Sequence, residues 1–304
     1  MSGTVAPGAT GAGGAAGDRR RLPGTPEPTQ CWVTPAGLRL CGDAWGPEQG
    51  PQVLMIHGGG QNRHAWARSG KALGAAGWRA IALDSRGHGD SDWAPDGDYG
   101  QDAFIADLAA VVAALGDRSP VLVGASLGGL NALLAVGEGR VHARALVLVD
   151  IAPRTERAGS ERVRDFLAAH AAGFESLDAV AEAIAAFRPG SPRKANPQSL
   201  ARNVREGADG RYYWHWDPRF LDGREHDLAT RYERLVPAAR GLTIPTLLVR
   251  GGSSDVVSRE AVDEFLELCP HAEYVDILDA GHMITGDSNE RFGQAMGEFL
   301  ARLD

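Results

Sequence analysis

Pro120-Val121-Leu122-Val123-Gly124-Ala125-Ser126-Leu127-Gly128-Gly129 is the stretch whose reading decides the fold. An apolar run of strand type stops at a serine, and an apolar run of helical type starts immediately after it. A serine held in so tight a strand-to-helix turn needs neighbours without side chains two positions before and two after, where Gly124 and Gly128 stand. Its hydroxyl then projects at the carboxyl end of the strand, and the first amides of the helix point toward any anion that forms there. Ser126 is therefore the candidate nucleophile. Among 40 glycines in 304 residues the Gly-x-Ser-x-Gly spacing says little alone; the strand before it, the helix over Leu127 to Val136 and the order of the flanking motifs give it weight.

Upstream, Cys31 to Thr34 and Leu38 to Trp45 read as a hairpin, with Val53 to Ile56 and Arg79 to Leu83 as short buried strands. Helical spacing covers about His64 to Gly77 and Gln101 to Leu115, the latter with Phe104, Ile105, Leu108, Val111, Val112 and Leu115 on one face. Downstream come the strand Ala145 to Val149, then Thr246 to Arg250, a helix over Glu260 to Cys269, the strand Tyr274 to Leu278 and a helix over Asn289 to Leu303. This alternation predicts an α/β fold, a mostly parallel central sheet of about eight strands with helices on both faces. Ligands in such a fold collect at the carboxyl ends of the strands.

Between the two strand-rich parts the rhythm changes. Residues 153–240 carry Ala-rich amphipathic stretches at Arg162 to Ala172 and Ser176 to Phe187, a Pro-Gly-Ser-Pro break at 189–192, and the aromatic run Tyr212-Tyr213-Trp214-His215-Trp216. They are assigned as a helical lid inserted into a core of 31–152 and 241–304. Residues 1–30, rich in Gly, Ala, Pro and Thr, lack an apolar run of signal-peptide type and are expected to be a disordered tail.

A net charge of −8 and the absence of a basic stripe argue against nucleic acid or an anionic membrane as partner. No segment reaches membrane-spanning length. The three cysteines, Cys31, Cys41 and Cys269, form no metal-ligand pattern and suit a reducing, cytoplasmic setting. A hairpin turning at Pro35-Ala36-Gly37 would nonetheless place Cys31 opposite Cys41, where a cross-strand disulfide is conceivable.

Five ordered segments resemble the α/β-hydrolase superfamily: His57-Gly58-Gly59-Gly60-Gln61-Asn62, Asp84-Ser85-Arg86-Gly87-His88-Gly89-Asp90-Ser91, the Gly124 to Gly128 elbow, Arg250-Gly251-Gly252-Ser253-Ser254-Asp255 and Gly281-His282. The likeness spans nearly everything after residue 30. It implies a triad in the order serine, acid, histidine, with His282 taking the Ser126 proton and returning it to the leaving group. Asp255, 27 residues before His282 in the loop the superfamily usually employs, is the first choice for the acid. Asp150, at the end of Ala145 to Val149, is the alternative, since some members place the acid there. The amides of Gly59 and Leu127 correspond to the oxyanion donors, and Gly60, Trp66, Trp214, Trp216 and Met283 are the expected pocket residues.

A serine where epoxide hydrolases and haloalkane dehalogenases carry aspartate implies an acyl-enzyme. The expected activity is cleavage of small to medium carboxylic esters or lactones, with no cofactor and no metal. Carbon–carbon bond hydrolases and cofactor-free perhydrolases use the same residues, and a ligand receptor on the same fold is the reading from another class. Oligomeric state is not legible. His57 reads as a histidine tying its loop together and His88 as a surface or supporting residue. Asp84, Asp90 and Asp92 read as turn formers rather than metal ligands. Arg219 and Arg224 leave open an acidic substrate.

Overall fold

The computed structural model describes residues 19–116, 118–187, 200–222, 228–278, 280–282, 284 and 290–303. A two-residue strand β1 (Arg20–Arg21) precedes the hairpin β2 (Gln30–Val33) and β3 (Arg39–Trp45). The core continues through β4 (Gln52–Ile56), α1 (Ala67–Ala75), β5 (Arg79–Leu83), α2 (Gln101–Ala114), β6 (Val121–Ala125), α3 (Leu127–Gly137) and β7 (Ala145–Val149). An insertion follows with α4 (Arg157–Ala168), α5 (Leu177–Phe187), β8 (Val204–Glu206) and β9 (Tyr212–Trp214). After it come α6 (Leu228–Arg240), β10 (Thr246–Gly251), α7 (Arg259–Leu268), β11 (Glu273–Ile277) and α8 (Glu290–Leu300).

Eight strands form one sheet in the order β11-β10-β7-β6-β4-β5-β3-β2, parallel from β11 to β5, with β3 antiparallel to both of its neighbours. Sequence alternation explains why both faces are covered. Leu54 and Ile56 of β4, Leu122 of β6, and Leu146 and Leu148 of β7 enter one apolar layer with residues of α2, α3, α6 and α7. Val53, Met55, Val121, Val123, Val147 and Val149 enter the opposite layer with α1 and α8. Strands apolar at every position are the signature of a parallel sheet buried on both sides.

Chain order sets where a ligand binds. From β4 the chain moves to β5 on one side, and from β6 it moves to β7 on the other, although β4 and β6 are neighbours. The loops leaving their carboxyl ends diverge, and the crevice between them is the switch point at which open α/β sheets bind ligands.

Three expectations need correction. The insertion is not wholly helical, because Tyr212–Trp214 alternates faces as a strand and pairs with Val204–Glu206. Its last helix, α6, packs against α3 and α7 and so belongs to the core layer. Residues 19–30 are ordered, since β1 adds to β8 and makes a three-stranded sheet. Partners on the body hold this segment: Leu22 is buried among insertion side chains, Arg21 meets Asp90, and the Pro26 carbonyl accepts from Arg63. Residues 1–18 and the break at 189–192 lie outside the described residues.

A fourth difference concerns the cysteines. Register puts Cys31 directly opposite Cys41, and the two form a disulfide, leaving Cys269 as a buried free thiol. Sheet pairing decided this, and the reading of three reduced thiols does not hold. No helix among the described residues is long and apolar enough to cross a membrane.

Candidate active site

The turn after β6 forces Ser126 to φ 46° and ψ −113°, a conformation worth about 1–3 kcal/mol of strain in a residue with a side chain. Surrounding contacts leave it no alternative. The Ser126 amide donates to Val149 O at 3.0 Å, and its carbonyl accepts from Leu130 N at 2.9 Å. A Cβ on Gly124 would stand 2.4 Å from Gly129 Cα, and one on Gly128 would stand 2.4 Å from Ile56 O and 2.7 Å from His57 O. These are backbone neighbours that cannot swing aside, so Gly128→Ala is expected to cost about 2–4 kcal/mol of stability. Urea denaturation of the variant checks this; an unchanged midpoint would mean the strand and helix are not so closely apposed.

Three side chains from three loops meet at the crevice. His282 Nε2 lies 3.2 Å from Ser126 Oγ, and His282 Nδ1 lies 2.7 Å from Asp150 Oδ2. Asp150, also at positive φ (50°), is fully buried at the end of β7. Its Oδ1 accepts from Gly251 N at 2.8 Å, and its Oδ2 accepts from Ser254 Oγ at 2.5 Å. The Ser254 oxygen in turn accepts from the amides of Val256 and Val257. The loop after β10 thus delivers a hydroxyl and a backbone N–H to the carboxylate on β7.

The loop's own carboxylate is engaged elsewhere. Asp255 receives Arg162 of α4 in a two-pronged contact at 2.6 and 2.9 Å, and this bond holds its carboxyl below the usual carboxylate range. Both side chains are about 43% exposed. α4 sits directly on this loop, since a Cβ on Gly159 would lie 2.0 Å from Asp255 O. The preference for Asp255 over Asp150 as partner of His282 is therefore corrected: the loop turns Ser254 inward and Asp255 toward the insertion.

The glycine loop after β4 is fixed by hydrogen bonds that leave one amide over. Gly58 N donates to Gln61 Oε1, Gln61 N to Gly58 O, and Gly60 N to His88 Nε2. Gly59 N and Leu127 N have no acceptor among the described residues, and both residues line the cavity that holds Ser126 and His282. His57 ties the loop to β5: a carbonyl can only accept, so Nδ1–H donates to Gly58 O, while Nε2 accepts from Ser85 N. His88 is buried and not on the surface, with Nδ1–H donating to Arg86 O. Beneath the loop Arg63, Asp43, Asp84 and Asp90 form a buried ion cluster, so Asp84 and Asp90 serve an arginine as well as local turns.

Several of these groups link stability to pH. Burial, the largest cause in each, holds His57 and His215 below their ordinary value of 6.5 and His64 at about 4. The unfolded chain takes up those protons first, so stability is complete above about pH 6.5 and is lost as pH falls toward the folded values. Asp84, which burial pushes up but Arg63 holds far below the usual range, adds a loss below about pH 3.8, whereas Asp43 and Asp107, raised by burial, add stability as pH falls toward about 3.8 and nothing further below it. The unfolding free energy from urea denaturation is expected to fall from about pH 6.5 to 5, by at most about 1.4 kcal/mol per pH unit for each histidine that the fold keeps neutral. His64→Gln should remove about one proton from that slope, and a flat profile would contradict this assignment.

The cavity above Ser126 has a volume of about 190 Å³. Its walls are mainly apolar, with Leu130, Ile151, Val163, Leu167, Leu221 and Val256 among them. Of the expected pocket residues, Gly60 abuts Leu167 without lining the cavity itself. Trp66 is buried in the opposite layer, where its ring meets Phe292. Trp214 and Trp216 stack on each other at 5.0 Å and fill the insertion's own apolar cluster. Met283 lies outside the described residues. Arg219 is held by Asp217 and the carbonyls of Ala94 and Pro95, away from the cavity, and Arg224 lies outside the described residues. Ser254, Thr155 and Arg231 were not singled out by sequence reasoning. Only Ser254 had a signal, its place in the loop motif beside Asp255.

An eight-stranded sheet of this order, with a serine elbow at its switch point, defines the α/β-hydrolase class. The α/β-hydrolase-fold family model matches residues 51–288, and the chain belongs to that family and is a hydrolase. It is 31% identical over 249 residues to the esterase Rv0045c of Mycobacterium tuberculosis, covering 80% of each chain. It is 27% identical over 275 residues to a 3-hydroxybutyrate-oligomer hydrolase of Cupriavidus necator, covering 84% of this chain and 91% of that one. The crystal structure of E-2-(acetamidomethylene)succinate hydrolase superposes with a TM-score of 0.78 at 27% identity, over 89% of this chain and 98% of the other.

Proposed function

We propose that this hydrolase is a serine esterase that cleaves small to medium carboxylic esters or lactones through an acyl-enzyme on Ser126. The observation that carries the reading is the unbroken hydrogen-bonded series from Ser126 Oγ through His282 to Asp150. His282 Nε2 takes the hydroxyl proton as Ser126 attacks the carbonyl carbon, then gives it to the departing alkoxide. Asp150 keeps the other ring proton on Nδ1 and stabilises the imidazolium that forms. The free amides of Gly59 and Leu127 receive the tetrahedral oxyanion, each worth about 3–4 kcal/mol of transition-state stabilisation. Water, activated by the same histidine, then releases the acid.

The described part of the insertion acts as a lid whose α4 roofs the apolar chamber and is fastened by Arg162 to Asp255. The names of the relatives, an esterase and an oligomer hydrolase, support ester chemistry. Stopped-flow hydrolysis of p-nitrophenyl butyrate tests the reading. A nitrophenolate burst stoichiometric with enzyme, or steady turnover lost on blocking Ser126, is the expected result. Neither burst nor turnover across a panel of esters and lactones would contradict it.

A further inference from the structure

We propose that the substrate carries a carboxylate, and that Arg231, with the hydroxyl of Thr155, receives it in the chamber above Ser126. This rests on the esterase reading and names the substrate class of the same site.

The inference begins with how this protein treats its buried arginines. Arg63, Arg86, Arg205 and Arg250 are buried, and each is ion-paired, with Asp84, Asp107, Asp90 and Asp276 respectively. Removing a guanidinium from water without a counter-ion is costly, so such pairing is the rule. Arg231, partly buried on the first turn of α6, has no such ion pair among the described residues. Its one hydrogen bond among the described residues runs from Nη2 to Thr155 Oγ1 at 3.1 Å, and no carboxylate among those residues pairs with it. It nevertheless lines the chamber beside Ile151, Leu221 and Val256. Burial depresses its pKa, with no acidic neighbour among the described residues acting to raise it.

Charge around the chamber is positive on balance. The ionisable wall residues other than His282 are Arg157, Glu161, Arg164 and Arg231. Glu161 is engaged by Arg157 one turn away on α4. Arg164 and Arg231 remain without a carboxylate among the described residues, in a space of about 190 Å³ that also holds the nucleophile. A guanidinium offers five donors in a planar fork, and most of those of Arg231 are uncommitted. The group that satisfies them is planar, anionic and part of the molecule whose ester lies at Ser126. Thr155, accepting from Arg231, keeps its own O–H free to donate to the same anion.

The carboxylate could sit on the acyl side or on the alcohol side of the ester, and the substrates chosen separate the two. Hydrolysis is followed by pH-stat for monoethyl glutarate against ethyl pentanoate, and for 4-acetoxybutanoate against butyl acetate. Wild type, Arg231→Leu and Arg231→Lys are compared, with fluorophosphonate labelling of Ser126 reporting an intact nucleophile in each. In wild type one charged ester is expected to exceed its neutral partner in kcat/KM. Arg231→Leu is expected to lower that value about 10- to 100-fold, mainly through KM, and to erase the preference over the neutral partner, with partial recovery in Arg231→Lys. Calorimetry of glutarate and 4-hydroxybutanoate on Ser126→Ala, with and without Arg231→Leu, reads the anion site without any turnover. Binding of either that depends on Arg231 supports the proposal even where ester hydrolysis fails. Neutral esters hydrolysed as well as charged ones, with no Arg231-dependent binding, would overturn the proposal and leave the esterase reading standing.

Discussion

Asp150→Asn is expected to lower kcat by about three to four orders of magnitude, while Asp255→Asn leaves kcat within about threefold. Asp150 is fully buried and presents Oδ2 to His282 Nδ1 at 2.7 Å. In the asparagine variant Oδ1 still accepts from Gly251 N, so the new NH₂ group occupies the position that faces the histidine. A donor there forces the imidazole proton onto Nε2, where it points at the Ser126 hydroxyl and removes the base. Ser254 can rotate its hydroxyl to follow the change, so the fold survives and the loss is one of tautomer. Asp255 makes its bonds to Arg162, with both partners near half exposed. Its removal loosens α4 from the loop after β10 and costs within about 1 kcal/mol. Steady-state kinetics of both variants beside thermal unfolding separate the two effects, and a reversed order of damage would return the acid to Asp255.

Ser126→Ala is expected to abolish ester turnover, a loss of about five to six orders of magnitude in kcat. Without the hydroxyl, His282 and Asp150 have no nucleophile to activate, and only the amides and the binding chamber remain. The substitution also removes a polar atom that His282 contacts at 3.2 Å, but it retains a Cβ at positive φ, so the elbow's strain is unchanged. The variant should therefore fold with wild-type stability and still bind substrate. Turnover retained at even one per cent of wild type, after exclusion of contaminating esterase, would assign the nucleophile elsewhere.

Periodicity carried the sheet. β5 and β7 match the sequence reading at both ends, and the other core strands and helices agree within a few residues, except α6, which the sequence reading assigns to the lid. Their apolar patterns encode burial on both faces, a property each segment carries locally. The elbow was legible for the same reason, since close backbone approach admits only glycine at 124 and 128.

What was not legible depends on partners distant in sequence. Ser254 and Asp255 are adjacent polar residues in one loop, and the contacts that separate them, Gly159 and Arg162 of α4 against Asp255 and Asp150 against Ser254, come from distant segments. A tail poor in apolar residues reads as unable to fold, yet Arg20 and Arg21 find a strand edge with Glu206 and Asp90 beside it. Trp214 and Trp216 are expected in the pocket, and their stacking on each other places them in the insertion's own apolar cluster instead. Arg231 carries no motif at all and stands out only once its place on the chamber wall and its lack of a counter-ion among the described residues are seen together.

The central claim is that Ser126 is activated by a histidine oriented by Asp150. The rate of covalent labelling by a fluorophosphonate, followed by mass spectrometry of the modified peptide, tests it most directly because it needs no knowledge of the substrate. Rapid labelling on Ser126 in wild type and Asp255→Asn, slowed about 1000-fold in Asp150→Asn, is the predicted result. Labelling at another residue, or equal rates in wild type and Asp150→Asn, would contradict it.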